Sequence, residues 1–254
     1  MTFLQALILG LVQGVTEFFP VSSSAHLRFA RWLMGLSDGP QWLFFDLACH
    51  AGTWGALCWF LRRDIWAVLR SFRSIALYAV ALAPLVPAYF LLKPLRETLS
   101  APGYTGIFLI VTGALLLLAT KKRSSSRSKW IDVLCIGGMQ AMALLPGLSR
   151  SGSTIAAARF RGWSWLEGAR FSFLLAVPTI FGGEILESYQ LLREPSTTSS
   201  GASLACTAIG FLTSLAVGLL AVRAVFWLYE RETVRPFAWY CFGFGLLTLW
   251  AVNG

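Results

Sequence analysis

Charge is what this sequence has least of. Only 13% of its 254 residues are Asp, Glu, Lys or Arg, against 56% apolar residues and a mean hydropathy of +0.66. A soluble globular domain carries roughly 25% charged residues, so the composition excludes that class and leaves an integral membrane protein. Acidic residues are scarcer than basic ones, 12 against 21, for a net charge of +9. That excess does not point to nucleic acid, because the basic residues stand in short clusters between apolar runs, as in cytoplasmic loops. The five cysteines (Cys49, Cys58, Cys135, Cys206 and Cys241) have no CxxC or Cys/His spacing, which excludes a zinc site and leaves small buried residues. Phe3–Val12 is apolar, but no basic residue precedes it and no small-residue cleavage site follows, so a cleaved signal peptide is not expected.

Against this apolar background stands the stretch Pro146-Gly147-Leu148-Ser149-Arg150-Ser151-Gly152-Ser153-Thr154. Pro146 and Gly147 break the helix arriving from Trp130, and the serines can cap a new one. Free N–H groups at that helix start, two glycines and a guanidinium describe an anion site suited to phosphate.

A second break lies near the N-terminus. Phe3–Phe19 is apolar apart from Gln5, Gln13, Thr16 and Glu17, and stops at Pro20; a short helix follows from Ser22-Ser23-Ser24 to about Met34, with His26, Arg28 and Arg31. The first piece is at the short limit for a span and the second too charged to cross, so together they read as a re-entrant hairpin. The second break gives another, Trp130–Leu145 returning to about Phe160. Six full spans are expected at about 41–61, 75–92, 104–120, 166–186, 203–222 and 236–252.

The fold class is therefore an all-α polytopic membrane protein, one domain over 1–254, with six spans and two re-entrant helix-break-helix hairpins. Gly10-Leu-Val-Gln13 ahead of Pro20-Val-Ser22-Ser23 resembles Gly137-Gly-Met-Gln140 ahead of Pro146-Gly-Leu-Ser149. Three spans between the hairpins invert the second, giving repeats of about 1–92 and 130–222 completed by spans 104–120 and 236–252. Arg62, Arg63, Arg70, Arg73, the Lys121–Lys129 cluster, Arg159, Arg161, Arg223, Arg231 and Arg235 fall on one side, which the positive-inside rule makes cytoplasmic; the first hairpin then faces outside. Inverted repeats with broken helices place the site where the breaks meet, so Glu17–His26 should face Pro146–Thr154.

Gln13 and Glu17 share a helix face, as do Ser23 and His26. Ionisable groups inside a membrane mark a functional site. Glu17, His26 and Arg150, with hydroxyls from Ser22, Ser23, Ser149, Ser151 and Thr154, suit phosphoryl transfer: Arg150 neutralises phosphate oxygens, a carboxylate holds a divalent metal, His26 serves as acid or base, and Ser23 attacks or orients a water. The plain alternative is a polar knot pinning the hairpins together. Asp46 and His50, four apart on the first full span, can extend the polar site or form a structural hydrogen-bonded pair, and the second reading is favoured; Glu184 reads as a surface residue, and Gly106, Gly113, Gly210 and Gly218 as helix-packing positions.

At these residues the sequence resembles the undecaprenyl-pyrophosphate phosphatase family of the bacitracin-resistance type. The glutamate-or-glutamine, three-residue spacer, glutamate motif is Gln13–Glu17, followed by Phe18-Phe19-Pro20-Val21-Ser22-Ser23-Ser24-Ala25-His26; the proline-glycine-x-serine-arginine-serine-x-x-threonine motif is Pro146–Thr154; Phe171–Pro178 resembles the family's next segment. The resemblance implies removal of the terminal phosphate of a C55 isoprenoid pyrophosphate, recycling the cell-wall lipid carrier and conferring bacitracin resistance. Carried over by position, Glu17, Ser23, His26 and Arg150 are catalytic, Ser149, Arg150, Ser151 and Thr154 bind phosphate, and Glu17 with Gln13 holds magnesium or calcium. The expected partners are the polyprenyl pyrophosphate and the bilayer, with a homodimer left open and no nucleic acid. The expected place is the bacterial inner membrane, with the site facing the outside. An isoprenyl-phosphate flippase or transporter using the same inverted-repeat site is the alternative. The unrelated phosphatidic-acid-type phosphatases need two catalytic histidines in a context that His26 and His50 lack.

Overall fold

A computed structural model describes residues 1–37, 39–99, 102–121, 128–193 and 202–253. Among these residues every regular element is a helix: α1 (Phe3–Thr16), α2 (Ser23–Leu33), α3 (Leu43–Phe60), α4 (Arg62–Leu69), α5 (Phe72–Leu82), α6 (Leu85–Leu91), α7 (Lys93–Thr98), α8 (Pro102–Ala119), α9 (Lys129–Met142), α10 (Arg150–Phe160), α11 (Trp165–Arg193), α12 (Leu204–Glu230) and α13 (Arg235–Asn253). A single 3₁₀ turn, Pro40–Trp42, leads into α3.

Phe72–Leu91, Trp165–Tyr189 and Leu204–Glu230 are long and apolar enough to cross a membrane. Apolar side chains on the outside agree, with Phe72 86% and Leu220 73% exposed, which water would not tolerate over so much of a surface. Helices α11 and α12 overrun the spans expected for them, and α4 was not expected at all. Arg62, Arg63 and Asp64 make its segment read as a loop, yet it is helical, with Asp64 Oδ1 accepting from Arg170 Nη1 of α11 at 2.9 Å. Most of the Lys121–Lys129 cluster, residues 122–127, lies outside the described residues.

Both expected breaks are present. After α1, Glu17 closes the helix, and the chain turns through Pro20 to Ser22, whose φ of 68° is in the left-handed region. After α9, the chain turns through Pro146 and Gly147 into α10. Gly147 has φ +95°, and a Cβ there would strike the backbone of Thr105 on α8, so only glycine serves.

The first helix of each hairpin seats a glycine against a neighbouring helix. Gly10 of α1 lies on Gly210 of α12, and Gly137 of α9 lies against Ala81 of α5, so close that a Cβ would overlap the Ala81 carbonyl. In a bilayer no hydrophobic force draws helices together, and close backbone approach at small residues supplies the packing instead. Gly106, Gly113, Gly210 and Gly218 are packing positions of the same kind, against α13, α13, α3 and α3 in turn. The centre of the molecule is an apolar cluster containing Phe18, Leu57, Ile155, Phe173 and Phe226. Phe18, next to Glu17, meets Phe173 of α11 edge to face at 5.9 Å, fixing the first break against the bundle. Cys49, Cys206 and Cys241 are buried as expected, whereas Cys58 is half-buried and Cys135 exposed.

Candidate active site

The two breaks meet. A cavity of about 290 Å³ is lined by Glu17, Ser22, Ser23 and Ser24 from one and by Ser149, Arg150 and Ser151 from the other. Helices α2 and α10 both begin here, so two positive helix ends, each with N–H groups lacking an intrahelical acceptor, border one space. Ser149 caps α10 by accepting from Gly152 N at 3.2 Å, and its own N–H donates to Thr112 Oγ1 of α8 at 3.1 Å. Ser151 Oγ donates to the Phe19 carbonyl at 3.3 Å, tying the second break to the first.

Glu17 is the hub. It is buried, and its Oε1 accepts from Arg150 Nη2 at 2.6 Å. Its Oε2 accepts from Ser23 Oγ at 2.8 Å and from Gln13 Nε2 at 3.1 Å. Arg150 Nη1 is buried with no hydrogen-bond partner. One arm of the guanidinium fork thus holds the carboxylate while the other is unmatched, and an unpaired buried donor is costly unless a ligand meets it. The arrangement can present a hydroxyl already hydrogen-bonded to a carboxylate, beside a cation and amide donors. That is what attack on a phosphorus atom requires.

The expected residues are not all brought to the cavity. His26 does not line it: its Nδ1 bonds the Ser22 carbonyl at 2.8 Å, its Nε2 bonds Tyr240 Oη at 2.7 Å, and its ring stacks on Phe244 at 4.1 Å. This corrects the expectation that it faces the site with Ser23. Residues three apart sit about 60° apart around a helix, enough to turn His26 toward α13. Thr154 is likewise buried behind the cavity, with Oγ1 bonded to Ser172 Oγ at 2.6 Å and donating to the Arg150 carbonyl at 2.9 Å. Gln13 stands behind Glu17, fully buried.

Two other expectations are also corrected. Asp46 and His50 are not a side-chain pair: the Asp46 carboxylate binds Arg31, and His50 Nδ1 bonds the Asp46 main-chain carbonyl at 2.8 Å. His50 lines the cavity, its Nε2 3.9 Å from Glu17 Oε2. Glu184 is not a plain surface residue, because it and Glu187, one turn on, line the same cavity from α11. Ionisable residues in a long apolar run do signal such a role, but their direction depends on how α3 and α11 pack.

For a divalent cation, the available donors are hard oxygens: Glu17, the buried and unpartnered Gln13 Oε1, and the Glu184 and Glu187 carboxylates. They fit magnesium or calcium, not a softer metal. No group of three or more His, Cys, Asp or Glu forms a metal cage among the described residues, so substrate oxygens would have to complete the shell, as magnesium commonly requires.

Comparison with known proteins agrees with the geometry. A family model described as bacitracin resistance protein BacA matches residues 6–247. A protein of Protochlamydia amoebophila named undecaprenyl-diphosphatase is 38% identical over 255 residues, covering 98% of each chain. Proteins of the same name from Salinibacter ruber and Rubrobacter xylanophilus are 34% and 38% identical, covering 98% and 96% of this chain and 99% and 96% of their own.

Proposed function

The chain belongs to the bacitracin resistance protein BacA family, and we propose that it is an undecaprenyl-diphosphatase. In this reading it hydrolyses undecaprenyl diphosphate to undecaprenyl phosphate and inorganic phosphate, returning the carrier to cell-wall synthesis. The observation that carries the proposal is the Ser23–Glu17–Arg150 chain, with a hydroxyl on one carboxylate oxygen and a half-filled guanidinium fork on the other. The flippase alternative has no comparable support, because carriage needs the cation and amides but not a hydroxyl held on a carboxylate.

The diphosphate sits with its terminal phosphate between the N-termini of α2 and α10, against Arg150 and the hydroxyls of Ser149 and Ser151. Ser23 Oγ attacks the terminal phosphorus and passes its proton to Glu17. The bridging P–O bond breaks, and undecaprenyl phosphate leaves with the bridging oxygen. Glu17 gives its proton to the departing undecaprenyl phosphate; water then attacks the phosphoserine and passes a proton to Glu17, the P–Oγ bond breaks, and Ser23 Oγ takes that proton from Glu17 as phosphate leaves. His26 acts one step back: its bond to the Ser22 carbonyl holds a left-handed residue that a non-glycine adopts only under constraint, and this aims Ser23. Thr154 similarly steadies the first turn of α10. Glu17, Gln13 Oε1 and the α11 carboxylates would hold magnesium or calcium, which when bound draws charge from the diphosphate.

The finer topology belongs to the same proposal. Six spans and two re-entrant hairpins in inverted repeats, about 1–92 and 130–222, account for the matched contacts of α1 on α12 and α9 on α5. We place the protein in the bacterial inner membrane, where a cell-wall lipid carrier is recycled, and the distribution of Arg and Lys supports a cavity open to the periplasm. Phosphate release from undecaprenyl diphosphate by the purified protein tests the activity. Chelator-sensitive release restored by magnesium or calcium is expected, and none under any metal would refute it.

A further inference from the structure

Beside the polar cavity lies a second, apolar space. It has a volume of about 350 Å³ and runs between Trp54 of α3, Leu174, Val177 and Phe181 of α11, and residues of α4 and α5, including the exposed Ile75 and Ala79. The two spaces share their walls. On α3, His50 lines the polar cavity and Trp54, one turn later, the apolar groove. On α11, Ile180, Gly183 and Glu184 line the cavity while Val177 and Phe181, in the adjoining turns, line the groove. The dividing wall is built and held: Trp54 Nε1 donates to the Val177 carbonyl at 2.9 Å, and its indole stacks on Phe181 with ring centroids 5.5 Å apart. Pro178, inside α11 at this level, has no N–H to give the Leu174 carbonyl, so the helix is locally freed from its own ladder where the groove meets it.

We propose that this groove receives the first units of the substrate's isoprenoid chain, which fixes the direction in which the lipid leaves the phosphate cavity. The inference rests on the phosphatase reading. A ligand whose head occupies the polar cavity has its chain begin near His50 and Ile180, and the groove starts one turn away on α3 and one residue away on α11, across the edge formed by Trp54 and Val177. Its lining is almost wholly apolar and includes three aromatic side chains, Trp54, Tyr78 and Phe181, which suit a methyl-branched unsaturated chain. In lipid the groove gains nothing from excluding water; what distinguishes it from the bilayer is packing, so it acts on register and selectivity.

Two measurements test this. First, an isoprenyl diphosphate carrying a diazirine on its second isoprene unit is irradiated with the full-length protein in detergent, with chelator present, and the labelled peptides are mapped. Label on Trp54 or on Leu174–Phe181, displaced by unlabelled undecaprenyl diphosphate, is expected. Label elsewhere, or label that the unlabelled lipid does not displace, as for an ordinary acyl chain, overturns the proposal. Second, Ala79→Trp and Ile75→Trp fill the groove from its exposed side and should raise KM for undecaprenyl diphosphate about three- to tenfold with kcat retained. Phe72→Trp, on the same helix outside the groove, should leave KM unchanged. Unchanged KM in both filling variants, extracted and folded like wild type, also overturns the proposal. Should the wild type release no phosphate, the phosphatase reading fails, while the crosslink still reports where the prenyl chain sits.

Discussion

Arg150 Nη2 lies 2.6 Å from Glu17 Oε1, joining residues 133 positions apart across the two helix breaks. Neither break is a site alone. The first supplies a carboxylate and a hydroxyl, the second a cation and a capped helix start, and the contact between them makes one cavity of two turns. Both partners are largely withdrawn from water, with side chains 17% and 7% exposed, and removing one member of such a pair leaves the other uncompensated.

Glu17→Gln keeps the hydrogen-bonding shape but removes the charge that Ser23, Arg150 and a cation all use. Turnover should fall at least about a hundredfold, the usual effect of losing a group that acts in the transition state. Near wild-type phosphate release at saturating magnesium and calcium would take Glu17 out of the mechanism. Arg150→Lys keeps charge without the fork and should be impaired to a similar degree.

Ser23→Ala removes the attacking oxygen, so turnover should be abolished. Acid-quenched wild type, stopped during turnover, should carry phosphate on Ser23. Unmodified Ser23, together with slow hydrolysis by the alanine variant, would assign attack to a water instead.

His50 and His26 should separate. His50→Ala opens the cavity wall next to Glu17 and should lower turnover about tenfold or more, the scale of one polar contact to a charged group, without changing thermal stability. His26→Ala strands the Ser22 carbonyl and Tyr240 Oη and leaves a buried void, so it should cost about 2–4 kcal/mol of stability as well as activity. Equal loss of stability in the two variants would contradict the division of roles.

Sidedness is testable at described positions on the two faces. In a variant lacking the five native cysteines, a cysteine replacing Ser37 should react with an impermeant thiol reagent on intact cells, and one replacing Glu232 only after lysis. The reverse pattern would overturn the orientation.

Much of the site could be read from the sequence because its signals are local. Pro146-Gly147 must end a helix, Ser149 is a good cap, and Glu17 inside an apolar run demands a use. The four-residue spacing of Gln13 and Glu17 gave their shared face, and their hydrogen bond follows from it. What could not be read is direction. His26 follows Ser23 by three positions, and the angular offset between them sends its ring to Tyr240 and Phe244. His50 and Glu184 lie on long, largely apolar helices whose periodicity is weak, so only the packing of α3 against α11 turns them to the cavity. Helix α4 was hidden for a related reason: eight residues with three charges among them look like a loop until Asp64 is tied to Arg170.

The claim that the two breaks form one catalytic unit is tested most directly by a double-mutant cycle on phosphate release, using Glu17→Gln, Arg150→Gln and the double variant. Groups acting as a unit give strongly non-additive losses. The expected result is a double variant no slower than the slower single variant, within about a factor of three. Losses that multiply, so that the double variant falls by the product of the two single effects, would show that Glu17 and Arg150 act independently and would contradict it.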